Sequence, residues 1–173
     1  MNKTRKLTLT SLIIAITTIS SHLIFIPVGF AKIFPIQHFA NVLLSVLLGP
    51  WYALAGALIV STLRNLLGTG SIFAYPGSVF GALLAGLLYM KMKNIGSALL
   101  GEVIGTGIIG AVATYPIGVL LFGEELTLFG FVPSFMFSSF TGALLAFGLL
   151  KLMMKNRVME GLINENSAHN SRF

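Results

Sequence analysis

The sequence predicts an all-α integral membrane protein of six transmembrane helices with both termini in the cytoplasm. Three observations lead there. Hydrophobic residues make up 55% of the 173-residue chain and charged residues 9%, too apolar a balance for a soluble globule of this size. The apolar residues gather in long uncharged runs, several near the roughly 20 residues that carry a helix across about 30 Å of hydrocarbon. The basic residues cluster between those runs, as they do at cytoplasmic membrane edges.

The first run, residues 7–26, follows Lys3, Arg5 and Lys6. It has the flank of a signal peptide. However, it exceeds the roughly 7–15 residues of a signal core, and no A-x-A-like cleavage site follows, so it reads as an uncleaved first span. The second, 33–48, is short and narrowed by Pro35. Gly49-Pro50 separates it from the third, 51–67, because proline lacks an amide donor and disfavours a helical residue before it. Trp51 and Tyr52 read as interfacial anchors. The fourth, fifth and sixth runs cover 71–90, 95–121 and 131–150.

Basic residues test this count. They stand at 3, 5 and 6, at 91 and 93, and at 151, 155 and 157. If all are cytoplasmic, an even number of spans separates neighbouring clusters, which four spans and then two satisfy. Lys32 and Arg64 then lie towards the exterior, with Glu124 and Glu125 in an outer loop. Residues 1–156 form one membrane domain. Residues 157–173 are polar and aperiodic, which predicts a disordered cytoplasmic tail. Small residues at four-residue spacing (Gly77/Gly81/Ala85, Gly101/Gly105, Gly142/Ala146, Ser11/Ala15) allow close helix contact.

Composition excludes several chemistries. The chain has no cysteine, hence no disulfide, thiol catalysis or thiolate metal site. It has no aspartate and five glutamates, too few for a membrane enzyme that clusters carboxylates on divalent metal. The net charge of +6 maps to membrane edges rather than to a nucleic-acid face.

Against this background one polar stretch stands out. Polar side chains at bilayer depth are costly and usually face a cavity or one another. Gln37, His38 and Asn41 follow an i, i+1, i+4 pattern and share a helical face. Arg64, Asn65 and Thr69 gather at the outer end of the third span, where Gly68-Thr69-Gly70 makes a flexible connection. Tyr75 and Ser78 open the fourth, and Lys32 lies in the preceding outer loop. Phe34, Phe39, Phe73 and Tyr75 offer aromatic faces for a planar ligand. Glu102 lies within the fifth span, where an unpaired carboxylate would be costly. Arg64, the one arginine inside a span, is its expected partner. Thr106 and Tyr115 are candidates for the same cavity. The candidates from Lys32 to Ser78 lie in the outer half of the membrane, as an extracellular-facing pocket requires.

The motifs Ile26-Pro27-Val28-Gly29-Phe30-Ala31-Lys32-Ile33-Phe34-Pro35-Ile36-Gln37-His38, Leu48-Gly49-Pro50-Trp51-Tyr52-Ala53, Leu63-Arg64-Asn65-Leu66-Leu67-Gly68-Thr69-Gly70, Tyr75-Pro76-Gly77-Ser78 and Gly101-Glu102-Val103-Ile104-Gly105-Thr106-Gly107 closely resemble the ThiW family over about residues 7–155. The resemblance implies a six-helix substrate-binding (S) component of an energy-coupling-factor (ECF) vitamin transporter in a prokaryotic plasma membrane. Its ligand would be hydroxyethylthiazole, the thiazole moiety of thiamin. It would dock on a transmembrane coupling protein driven by two cytosolic ATPases, through a small-xxx-small motif that appears here as Ser11-xxx-Ala15. No cofactor is implied in this chain: it has no G-x-x-x-x-G-K-[ST] loop, so ATP would be used by partners. Thiamin or another small heterocycle is the alternative ligand. A membrane enzyme using His38 and Glu102, and a proton-coupled carrier relaying through Glu102, are the alternative classes.

Overall fold

The computed structural model describes residues 1–28, 31–123, 127–156 and 161. Glu124, Glu125 and, apart from Gly161, the tail from 157 onward lie outside them. Helix α1 spans Lys3–Leu23, capped by the Asn2 side chain, which accepts from the Arg5 amide at 3.0 Å. Its buried face carries Lys6, Thr10, Ile14, Thr17, Thr18 and Ser21, while Leu7, Leu12, Ile16, Ile19 and Leu23 point outwards. An amphipathic helix of a water-soluble protein does the reverse. Here the small hydroxyl side chains face protein, and two of them bond back to their own helix: Thr10 to the Lys6 carbonyl at 2.8 Å and Ser21 to Thr17 at 2.7 Å.

The all-helical expectation meets one exception. Between α1 and the next helix, β1 (Ile26–Val28) and β2 (Ala31–Ile33) pair antiparallel in a short hairpin, with Pro27 opposite Lys32. Helix α2 (Pro35–Leu48) runs through the middle of the bundle, with eleven of its fourteen residues buried. It starts on a proline, whose missing amide costs nothing at a helix N-terminus. It stops at Gly49, whose φ of 95° is a region open to glycine, and α3 (Pro50–Leu66) starts on the next proline. The break makes two helices rather than one kinked rod.

Helix α4 (Ala74–Met92) is followed by a continuous helical rod from Ile95 to Phe122, made of α5 (Ile95–Ile104), a π-helical turn (Gly105–Gly110) and α6 (Ala111–Phe122). The glycines explain the π turn. A Cβ on Gly101 would sit 2.6 Å from the Cα of Ala85, one on Gly105 2.8 Å from that of Gly81, and one on Gly110 2.5 Å from that of Gly77. The α4 positions are four residues apart, while Gly105 and Gly110 are five apart. The extra residue of the π turn, with its i→i+5 repeat, keeps both glycines facing α4. Helix α7 (Val132–Met153) closes the bundle, with Gly142 against the start of α2.

These are six helical rods among the described residues. Three of them, Lys3–Leu23, Ile95–Phe122 and Val132–Met153, are long and apolar enough to cross a membrane, and Pro35–Leu48 is a shorter apolar helix. Lys6 lies over the Tyr52 ring at 5.7 Å, which brings the starts of α1 and α3 to one end. Tyr89, Ile95 and Leu150 pack together there, at the end of α4, the start of α5 and the end of α7. Arg64, Phe34 and Phe131 therefore lie at the opposite end.

Candidate functional site

At that opposite end, α2, α3, α4, the π turn and α7 surround a cavity of about 430 Å³. One wall is polar: Gln37, His38, Arg64 and Thr106. The other is built from Phe34, Phe73, Phe131 and Phe135, with Ser134 and Ser138 between them. The rings touch: Phe73 and Phe131 lie 5.2 Å apart, and Phe131 and Phe135 5.7 Å. A second cavity of about 350 Å³ lies towards the end of α1, between Ser21, His22, Phe25 and the Gly68-Thr69-Gly70 turn. Phe34 and Ser71 border both.

Two hydrogen-bond chains hold the polar wall. The first starts at Arg64, which is 2% exposed. Its Nη1 donates to Gln37 Oε1, its Nη2 donates to the Thr69 carbonyl at 2.9 Å, and its guanidinium stacks on the Phe34 ring at 4.2 Å. Gln37 Nε2 donates in turn to Ser61 Oγ at 2.8 Å, and the Ser61 and Ser78 hydroxyls lie 2.8 Å apart. The turn after α3 is closed, not loose. The Thr69 and Gly70 amides both donate to the Arg64 carbonyl at 2.9 Å, and Gly68 takes a φ of 72°.

The second chain centres on Glu102, fully buried behind the cavity wall. His38 Nδ1 lies 2.8 Å from Glu102 Oε1, and Asn41 Nδ2 and Thr106 Oγ1 each donate to the same oxygen at 3.0 Å. The single Thr106 proton is shared with the Gly77 carbonyl at 2.9 Å. Glu102 Oε2 has no partner among the described residues. The carboxyl group reaches this position because residue 81 is glycine: a Cβ there would lie 2.8 Å from both carboxylate oxygens and would overlap the Thr106 hydroxyl.

The expected Arg64–Glu102 ion pair is therefore corrected. Glu102 is paired with His38 and Arg64 with Gln37. The reason is helical geometry: Gln37 and His38 are adjacent on α2, so they point about a quarter-turn apart and each meets a different neighbour.

Of the sequence-derived candidates, Gln37, His38, Arg64 and Thr106 line the cavity. Asn41, Ser78 and Glu102 stand behind it and brace the wall. Asn65 ties the α3–α4 turn, donating to the Ser61 carbonyl at 2.8 Å and the Ser71 carbonyl at 3.1 Å. Thr69 borders the second cavity. Tyr75 donates outside the cavity to Thr62 Oγ1 at 2.9 Å. Tyr115, on α6, borders neither cavity, so it is not brought to Thr106 as expected. Of the four aromatic candidates, Phe34 and Phe73 form cavity wall, while Phe39 and Tyr75 do not. Lys32 sits on β2, and its side chain lies outside the described residues. Ser11 and Ala15 are exposed on the outer face of α1.

The first turns of α7 were missed by sequence reasoning. Phe131/Phe135 and Ser134/Ser138 are each spaced i, i+4, which places an aromatic and a hydroxyl pair on neighbouring strips of one face. That pattern was legible. Ser138 also accepts from the Phe34 amide at 3.1 Å, fixing the ring that Arg64 stacks on. Ser61, the link between Gln37 and Ser78, had no sequence signal beyond its span.

A helical bundle with apolar outer faces, and with one cavity of aromatic rings and a few converging polar groups, has the build of a membrane protein that binds a small molecule. The family comparison is specific. The model of the thiamine-precursor transporter protein family (ThiW) matches residues 7–156. The chain belongs to the ThiW family, a family of membrane transporters and not of enzymes. No curated protein and no solved structure matches the chain.

Proposed function

We propose that this chain is the S component of an ECF transporter and captures hydroxyethylthiazole from outside a prokaryotic cell. The observation that carries the reading is the cavity itself, in which four phenylalanine rings face a polar wall of Gln37, His38 and Arg64. A flat heterocycle stacks favourably on aromatic faces. The polar wall suits the alcohol. His38 keeps Nδ1 2.8 Å from Glu102 Oε1, and its ring lines the cavity where the alcohol would bind.

In this reading all six rods span the membrane and both termini are cytoplasmic. Lys6 and Lys91 then share the inner end with Lys151, and the cavity opens outwards. The shorter α2 is accommodated because it is surrounded by other helices. Ser11 and Ala15, small and exposed on α1, form the contact with the coupling protein, which works with two cytosolic ATPases that consume the ATP. Gln37, His38, Arg64 and Thr106 contact the ligand. Asn41, Asn65, Thr69, Ser78 and Glu102 hold that wall in place, and Tyr75 stands outside it.

The test is uptake by a thiamin auxotroph able to use external thiazole. Expressing this chain with a functional ATPase module restores growth on hydroxyethylthiazole, and an ATPase-dead module or Ser11→Trp abolishes it while purified protein still binds. Uptake by the lone chain would indicate a carrier instead.

A further inference from the structure

We infer that the preferred ligand carries an oxyanion, a carboxylate or a phosphate ester on the heterocycle, and that Arg64 selects for it. This rests on the transporter reading above and ranks its ligands: hydroxyethylthiazole is bound, and a charged derivative of the same ring is bound more tightly. Arginine has five N–H donors. Gln37 takes one through Nη1 and the Thr69 carbonyl one through Nη2, while Nε is sealed away with no partner among the described residues. The guanidinium carbon lies over Phe34 and Arg64 lines the cavity, so what remains for recognition is the second N–H of Nη1 and of Nη2. Arginine N–H groups form stronger bonds to a carboxylate or phosphate than to a neutral oxygen.

The charge balance points the same way. Glu102, the acid nearest in the network, is engaged by His38, Asn41 and Thr106 and is fully buried behind the wall. None of the described residues lining the cavity is acidic. A buried guanidinium without a facing carboxylate is a costly arrangement. A ligand that brings the negative charge removes that cost, and among the described lining residues it meets no like charge. An alcohol offers one oxygen and no charge, and leaves most of the free N–H groups unfilled.

The experiment compares hydroxyethylthiazole, its phosphate monoester and a carboxylate of the same ring, by calorimetry on the full-length protein in detergent. Hydrogen bonds to a charged group exceed neutral ones enough that an anion should bind about tenfold or more tightly than the alcohol. In Arg64→Gln the ratio of the two affinities should collapse towards one, with Arg64→Lys between. The ester and carboxylate arms tell which oxyanion is meant. An alcohol that binds wild-type protein as tightly as both anions overturns the inference and leaves the proposed transport role standing. Failure of all three to bind overturns both. The wild-type comparison decides even if the variants do not fold.

Discussion

Towards the end of the bundle that carries Lys6, Lys91 and Lys151, the buried contacts include Val46, Tyr89, Ile95, Ala146 and Leu150. At the other end they are Gln37, Asn41, Ser61, Arg64, Ser78, Glu102 and Thr106. The same helices, α2, α4 and α5, contribute to both. Lipid tails are as apolar as leucine, so the first set gains little from leaving lipid and is held by close packing of small side chains. The second set is held by hydrogen bonds whose loss would leave polar groups stranded at bilayer depth. One end is a packed scaffold and the other carries the cavity and its polar network, and their responses to substitution should differ accordingly.

The largest effect is expected at Glu102. Replacing it by alanine leaves His38, Asn41 and Thr106 without their common acceptor, and breaking such a buried pair typically costs about 3–5 kcal/mol. Thermal unfolding in detergent of Glu102→Ala, His38→Ala and the double variant should reveal coupling above about 1 kcal/mol. The corresponding cycle with Arg64→Met should give a smaller value. Equal coupling to both residues would place Arg64 and Glu102 in one electrostatic unit.

Next comes the packed end. Leu150 is fully buried, and Leu150→Ala removes contacts without exposing a polar group. With little transfer energy at stake, the cavity term dominates, about 1–3 kcal/mol. Unfolding temperature should fall while ligand affinity stays at the wild-type value. An affinity loss comparable to that of His38→Ala would erase the distinction between the ends.

Thr106→Val keeps the shape and removes the hydroxyl shared by Gly77 and Glu102, a loss of about 0.5–1.5 kcal/mol in stability. Because Thr106 lines the cavity, affinity should drop as well, which calorimetry would register. The smallest effect is expected for Tyr75→Phe. Its bond to Thr62 lies outside the cavity, so stability should change by less than about 0.5 kcal/mol and binding not at all. A measurable loss of affinity there would extend the site outwards.

The helical character of the chain was readable from residue order alone, because apolar runs and breakers act locally. Gly49-Pro50 ends one helix and starts another through backbone sterics that need no neighbour. The polar face of α2 was equally legible, since 37, 38 and 41 share a side of any helix. The partners across the bundle were not. Choosing Arg64 for Glu102 followed charge alone, whereas the structure chose His38 because adjacent residues on α2 point to different neighbours. The hairpin at Ile26–Ile33 also escaped, because a short antiparallel pair carries little periodicity.

The sequence by itself determined that this is a membrane helical bundle with a polar patch towards one end, since solvation and backbone geometry act on each segment separately. Only the tertiary structure decided which of those polar groups face a cavity and which stand behind it. Close approach at Gly77, Gly81 and Gly105 brings α4 onto the π turn, and that approach seats Thr106 at the wall with Glu102 sealed beneath. Contacts between residues far apart in the chain depend on how whole helices pack, and no local rule reports them.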